Sequence, residues 1–313
     1  MSASETGDRP GRVLVAGASG MVGSALCNSL IDRGDEVVGL SRNPERSAER
    51  QPRVEWHGWE ASVERPPDSA FAGVSRVVNL AGEPINQRWN RDVKDRIARS
   101  RIKATSNLVE TIATLEVKPD VLVNASAIGY YGDRGDELLY EDAGPGEDFL
   151  AGVVVRWEAA AAAASEFGVR TVSVRSGHVL DPNGGLLSEL LTPFKLGLGG
   201  PIAGGRQYMS WIHRHDEVGI LLFALDNESI EGPVNATAPN PVTGKEFATQ
   251  LGKAVNRPAV IPLPGFAIDL VKGTGVGQAA REGQRVFPRK AVDNGYIFKQ
   301  PELAGALAHL LRR

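Results

Sequence analysis

Three glycines at a spacing of three, Gly17, Gly20 and Gly23, interrupt the segment RVLVAGASGMVG that runs from Arg12 to Gly23. Before them, Val13 to Ala16 suit a strand buried on both faces. After them, Met21, Val22, Ala25, Leu26 and Leu30 recur at helical spacing. Glycines on a strand-to-helix turn allow a tight bend, bring backbone N–H groups close to a pyrophosphate, and let the helix pack near the strand. The helix start adds unpaired N–H groups and a partial positive charge. Gly17, Ser19, Gly20, Met21, Val22 and Gly23 are therefore expected to cradle the phosphates of a dinucleotide. The spacing is G-x-x-G-x-x-G, not the more usual G-x-G-x-x-G.

A second group ends the next strand, Glu36 to Leu40. The residue at that tip meets the adenine ribose, where a carboxylate favours a free 2′-hydroxyl and an Arg accommodates a 2′-phosphate. The tip carries Ser41 and Arg42, with Arg46 nearby and no acid; Asp35 and Glu36 lie at the wrong end. NADP is therefore expected rather than NAD. A third group closes the strand Arg76 to Leu80. Ala81 and Gly82 are small enough to let a cofactor backbone approach a strand's carboxyl end, where ligands bind.

These groups need a framework of parallel strands. Further strands are expected at Arg53–Trp56, Val121–Ser126 and Val169–Arg175. Helices are expected from Pro84 through Ile112 and from Phe149 to Phe167, the latter stopped by Gly168. Strands alternating with helices predict an α/β fold with a Rossmann-like, doubly wound parallel sheet. Trp56 and Trp59 read as packing residues. The second half changes character. Gly177 to Gly205 is rich in Gly and Leu, Tyr208 to His213 reads as a strand, Asp216 as a helix cap, Pro233 to Ala236 as a strand, and Thr243 as a second cap. These pieces predict a smaller C-terminal substrate lobe. The expected division is a disordered tail over 1–11, a nucleotide-binding domain over 12–176 to which about 208–242 return, and a lobe made of 177–207 and 243–313.

Bulk properties set limits. The 313 residues are 42% hydrophobic and 23% charged, with a formal net charge of −3. Nothing in that balance points to nucleic acid or a membrane surface, and no run approaches the ~18 apolar residues of a membrane span. The polar N-terminus has no apolar h-region of a secretory signal. Cys27, the one cysteine, reads as a buried packing residue, and a cytoplasmic chain fits.

Motifs along almost the whole chain resemble one family. They include the glycine turn, Ser41-Arg42, Asn79-Leu-Ala-Gly-Glu83, Arg88-Trp89, Ser100-Arg101 with Thr105, Ser126 with Tyr130-Tyr131-Gly132, Trp157-Glu158, Arg175-Ser-Gly177, Gly199-Gly-Pro201, Trp211-Ile-His213 with Asp216, Ala238-Pro-Asn240, and Gly283-Gln-Arg-Val286 with Pro288. The chain resembles an atypical extended short-chain dehydrogenase/reductase of the epimerase family. Such chains are also labelled nucleoside-diphosphate-sugar epimerase-like or SulA-type, and carry a C-terminal domain of unknown function. The resemblance implies NADP(H) and cofactor contacts from the glycine turn, Ser41, Arg42, Leu80, Ala81, Arg101 and Val179.

Catalytic members of that family resemble one another in a Tyr-x-x-x-Lys pair, in which the Lys charge lowers the Tyr pKa. Four residues after Tyr130, Tyr131, Tyr140, Tyr208 and Tyr296 stand Arg134, Gly135, Gly144, Ile212 and Gln300, so the pair is missing. Substitutes are Ser126 to hold a carbonyl oxygen and Tyr131 or Tyr130 to donate a proton, with Arg134 or Arg101 as the cation. The alternative is that both tyrosines pack a loop. Glu83 reads as a base or a loop acid, and His178 as a pocket or structural residue. Gln207, Tyr208 and Trp211 are candidates to line a pocket for a small polar substrate. His213, His215 and Asp216 could ligate a metal, but with no further ligands nearby in sequence none is expected. Two functions stay open: an NADP(H)-dependent oxidoreductase or epimerase-like enzyme, and a non-catalytic NADP(H)-binding sensor.

Overall fold

A computed structural model of the chain describes residues 10–262 and 281–312. The expected tail over 1–11 falls almost wholly outside them. Seven strands form one sheet: β1 (Arg12–Ala16), β2 (Glu36–Ser41), β3 (Glu55–Gly58), β4 (Arg76–Asn79), β5 (Val121–Ala127), β7 (Arg170–Ser176) and β11 (Gly232–Ala236). Their order is β11-β7-β5-β4-β1-β2-β3, and every pairing is parallel. Helices α1 (Met21–Asp32) and α6 (Arg214–Asp226) cover one face; α3 (Arg91–Thr114) and α4 (Phe149–Ala162) cover the other.

The period-two geometry of a strand explains the two-sided burial. Val13 and Val15 enter the core under α1 and α6, whereas Leu14 and Ala16 enter the core under α3. All four are wholly buried, as an apolar run without polar alternation requires. At the amino edge, Asp35 and Asp226 share Arg33 and Arg76, tying the ends of α1 and α6 to β4. Cys27 is buried, and desolvation pushes its thiol up to about 12.

Several bounds differ from the sequence reading. The third strand lies two residues later than expected. The long third helix begins at Arg91 instead of Pro84, because the Asn90 side chain caps it, accepting the Val93 N–H at 2.8 Å. A short helix, α2 (Pro44–Arg50), follows β2, capped by Asn43. Another, α5 (Gly185–Lys195), runs through the Gly/Leu-rich segment despite Pro193.

Among the described strands beyond β7, only β11 joins the main sheet. The remaining strands pair in small two-stranded sheets: β8 (His178–Leu180) with β10 (Trp211–His213), β9 (Tyr208–Met209) with β12 (Val242–Thr243), and β13 (Arg285–Val286) with β6 (Leu138–Leu139), which precedes β7. A separate core gathers Leu187, Leu191 and Phe194 of α5, Phe247 and Leu251 of α7 (Gly244–Ala254), and Leu303 and Leu307 of α9 (Leu303–Leu311). Thr243 caps α7 in a reciprocal box with Glu246, as its sequence suggests. A five-residue helix, α8 (Arg289–Asp293), packs on β11. No described helix is long and apolar enough to cross a membrane.

Candidate functional site

The sheet grows in opposite directions from β1 and β4, which opens a crevice at their carboxyl ends. Gly17 follows β1 with φ +74, and a Cβ there would lie 2.7 Å from the Leu80 carbonyl oxygen. A Cβ on Gly23 would collide with the Gly17 carbonyl. These two glycines are thus demanded by the turn's own packing. Gly20 differs: it is exposed, and a Cβ there would meet only the Gly17 oxygen, at 3.2 Å. It sits at the N-cap of α1, where no side chain caps the helix and no acid stands in the first turn. The leading N–H groups beside Ser19, Met21 and Val22 therefore have no side-chain acceptor at the helix start.

Arg42 stands exposed just past β2 and has no hydrogen-bond or ion-pair partner among the described residues. Ser41 is half-buried; its hydroxyl shares a 2.8 Å hydrogen bond with Ser47 and accepts the Asn43 N–H at 3.2 Å. At the end of β4, the buried Asn79 shapes the Leu80–Ala81 bend. Its Nδ2 donates to Thr105 Oγ1 at 2.9 Å and Asn124 Oδ1 at 2.7 Å, and its Oδ1 accepts the Ala81 N–H at 3.2 Å.

Arg101, in α3, lies beneath Gly82: a Cβ on that glycine would be 3.3 Å from the guanidinium carbon. Its Nη1 donates to the carbonyls of Glu83 (2.9 Å) and Ile97 (3.2 Å), and the group sits 5.2 Å from the Trp157 ring centre. No carboxylate pairs with it among the described residues. Burial lowers its pKa to about 10, opposed by the charge of Glu83. Val179 in β8 packs with Val22 and Leu80 against one core cluster, and Met21 abuts Gly184 in the following loop. The fold therefore brings the glycine turn, Leu80 and Val179 together.

The proposed catalytic pair has a different setting. Ser126 is buried and donates its hydroxyl to Glu158 Oε1 at 2.5 Å. Glu158 accepts two further bonds, each 2.8 Å, from Arg175 Nε and Nη2. Arg175 Nη1 donates to the Tyr131 hydroxyl at 3.0 Å, and that hydroxyl donates to Asn235 Oδ1 at 2.7 Å. Tyr131 is wholly buried, and desolvation outweighs the Arg175 charge, pushing its pKa up to about 12. The Arg175 guanidinium also lies 3.5 Å over the Tyr130 ring. Neither expected cation reaches the tyrosine: Arg134 pairs with Glu137 in the loop, and Arg101 is held at Glu83. In the sequence, Glu158 and Arg175 belong to family motifs that assign them no role, and Asn235 stands in none of those motifs. Opposite charges set in otherwise apolar runs were the available signal.

In the smaller lobe, Trp211 is wholly buried with its indole N–H on the Asn240 carbonyl, so it belongs to the core and does not line a pocket. Tyr208 is half-buried beneath Arg285. Solvent reaches His178, yet the protein around it favours the neutral ring and lowers its pKa. Glu217 is buried and accepts the Ser176 hydroxyl at 2.6 Å; desolvation raises its carboxyl to about 7. Asp216 does not cap α6. His213 does, its Nδ1 accepting the His215 N–H at 2.9 Å, while Asp216 receives the Lys299 and Gln300 N–H groups. No further ligand stands near His213 and His215 in sequence, but the fold brings His309, distant in sequence, beside them.

A profile described as the NAD dependent epimerase/dehydratase family matches residues 13–236, and a domain of unknown function matches residues 263–310. The bovine epimerase family protein SDR39U1 is 38% identical, over 96% of this chain and 99% of its own. An Arabidopsis thaliana chloroplastic homolog of that protein is 36% identical, over 96% and 86% respectively. The human SDR39U1 crystal structure with NADPH has a TM-score of 0.85 at 36% identity, covering 96% of this chain and 99% of that one.

Proposed function

The chain belongs to the NAD dependent epimerase/dehydratase family, and from that premise we propose that it binds NADP(H) and acts as an oxidoreductase or epimerase-like protein on a small polar substrate. The observation that carries the reading is the set of donors along the crevice that have no anionic partner among the described residues. An α1 without a side-chain cap, an open Gly20, and an Arg42 without a partner and an Arg101 without a carboxylate among the described residues are the donors a polyanion needs. The donor set fits NADP(H), and the human relative crystallised with NADPH supports the choice.

In this reading Gly17, Ser19, Gly20, Met21, Val22 and Gly23 hold the pyrophosphate. Ser41 and Arg42 hold the 2′-phosphate, and Leu80, Ala81, Gly82 and Val179 wall the crevice. Arg101 supplies a second, partly desolvated cation, where an ionic hydrogen bond is strong. The bound cofactor supplies hydride transfer. The division is into a nucleotide-binding domain and a smaller substrate lobe, closed by the segment around α5.

Ser126 and Tyr131 we assign to positioning. Every proton of theirs is already committed to Glu158 or Asn235, so neither is free to hold a carbonyl oxygen or donate a proton. That commitment is also what favours the second reading, a redox sensor that binds NADP(H) without turnover. Titration with NADPH and NADH tests the cofactor: a clear preference for NADPH is expected, and equal affinity would overturn the use of Arg42. A turnover screen with carbonyl compounds and nucleotide sugars separates the two functions. Cofactor oxidation that survives in Tyr131→Phe supports an enzyme with another proton source. Oxidation abolished in a folded Tyr131→Phe protein would sink the positioning assignment.

A further inference from the structure

Three of the chain's five histidines converge where the smaller lobe meets α6. His213 ends β10, His215 lies in the first turn of α6, and His309 lies in the last turn of α9. Their rings form a near-equilateral triangle, with centroids 4.7, 4.9 and 5.1 Å apart. His213 Nε2 is 3.0 Å from His309 Nδ1, and one nitrogen from each ring falls within 4.8 Å of the others. His213 is buried, while His215 and His309 face solvent, so an ion could enter and keep a water on the open side.

From this geometry we propose that His213, His215 and His309 form a binding site for a divalent transition metal, with Zn²⁺ the best match. Three imidazoles plus water are a tetrahedral zinc donor set. At Zn–N distances of about 2.0–2.1 Å the nitrogens stand roughly 3.3 Å apart, so one pair is already near its bound separation and the third ring closes by rotation. Hard cations are excluded by the absence of oxygen donors in the triangle. The surrounding charges balance: Arg214 is paired with Asp181, and the Asp216 carboxylate accepts backbone N–H groups of the segment that carries Lys299.

The proton balance is explicit. Without metal, His213 Nδ1 accepts the His215 N–H, so its proton sits on Nε2 and is donated to His309 Nδ1. On binding, that proton moves to Nδ1, the cap on α6 is given up, and Nε2 and His309 Nδ1 both turn their lone pairs to the metal. No oxidation or proton release is required. The ion would clip α9, the last described helix, to the β10–α6 junction.

The test uses the full chain, free of any affinity tag and dialysed against a chelator. Isothermal titration with ZnCl₂ is expected to give one equivalent per chain at micromolar affinity or tighter, with a rise in melting temperature. Co²⁺ should give the visible bands of a tetrahedral nitrogen site. His309→Ala and His215→Ala, both at exposed positions and checked for folding by circular dichroism, should each weaken binding by about 100-fold or more. Absence of stoichiometric binding, or binding that neither substitution alters, would overturn the site and leave the cluster as a hydrogen-bonded cap.

Discussion

The two halves of the crevice treat polar groups in opposite ways. Around β1, β2 and β4, donors are left open: α1 is uncapped, Arg42 has no partner among the described residues, and Arg101 faces carbonyls and an indole but no carboxylate. Around β5 and β7, polar side chains answer one another, from Ser126 through Glu158, Arg175 and Tyr131 to Asn235. A buried polar group must be paired within the protein or by a ligand. In the proposed reading the first half is the place for an anion, whereas the chain from Ser126 to Asn235 is paired within the protein and acts as a fixed wall. Retained family motifs therefore carry two physical meanings, and only pairing tells them apart.

The sharpest way to break this comparison is Glu158→Gln. It leaves the Arg175 guanidinium, 3% exposed, without its carboxylate. Breaking a buried pair on one side costs about 3–5 kcal/mol, so the denaturant midpoint should fall steeply. A shift under about 1 kcal/mol would show the wall to be solvated. On the open side, Gly17→Ala places a side chain at φ +74 against Leu80, and a strained backbone of this kind costs about 1–3 kcal/mol. Stability and NADPH affinity should fall together, because one turn serves both.

Arg42→Ala should separate the two halves cleanly. The residue is exposed and without a partner among the described residues, so thermal stability should stay within experimental error. Loss of a charged hydrogen bond to phosphate corresponds to roughly a tenfold to hundredfold weaker complex. That loss should appear with NADPH and be absent with NADH in a fluorescence titration. An equal loss for both would move Arg42 from the 2′-phosphate to the pyrophosphate.

The open half was largely legible in the sequence because its signals are local. Gly17, Gly20 and Gly23 read as a turn, Ser41-Arg42 as a strand tip, and Val13 to Ala16 as a doubly buried strand, since each depends on near neighbours. The wall was illegible because its bonds cross from Glu158 on α4 to Arg175 on β7 and from Tyr131 to Asn235, across 104 positions. Missing Lys residues could be counted, but where Tyr131 found its partners could not. The same distance hid His309 from His213 and led to the reading of Asp216 as a cap. Pro193 and the Gly184-Gly185 pair masked α5, whose helix is set by packing in the smaller lobe.

The mildest prediction concerns the wall's own proton. Tyr131 is pushed up to about 12, chiefly by desolvation. Below pH ~10, the ordinary tyrosine value, folded and unfolded chains both hold the proton and the contribution to stability is complete. Between about 10 and 12 the unfolded chain loses the proton first, so stability falls as pH rises and the loss is finished above the folded value. Two pKa units correspond to roughly 2–3 kcal/mol. Tyrosinate absorbance should show Tyr131 titrating late, together with Tyr296, which burial and Asp216 also raise. In Tyr131→Phe one late step should vanish and the alkaline fall in stability should shrink by that amount, with NADPH affinity unchanged. An early, ordinary titration of Tyr131 would mean its hydroxyl meets solvent, and the contrast between a satisfied wall and an open cradle would fail at the residue where it is most clearly drawn.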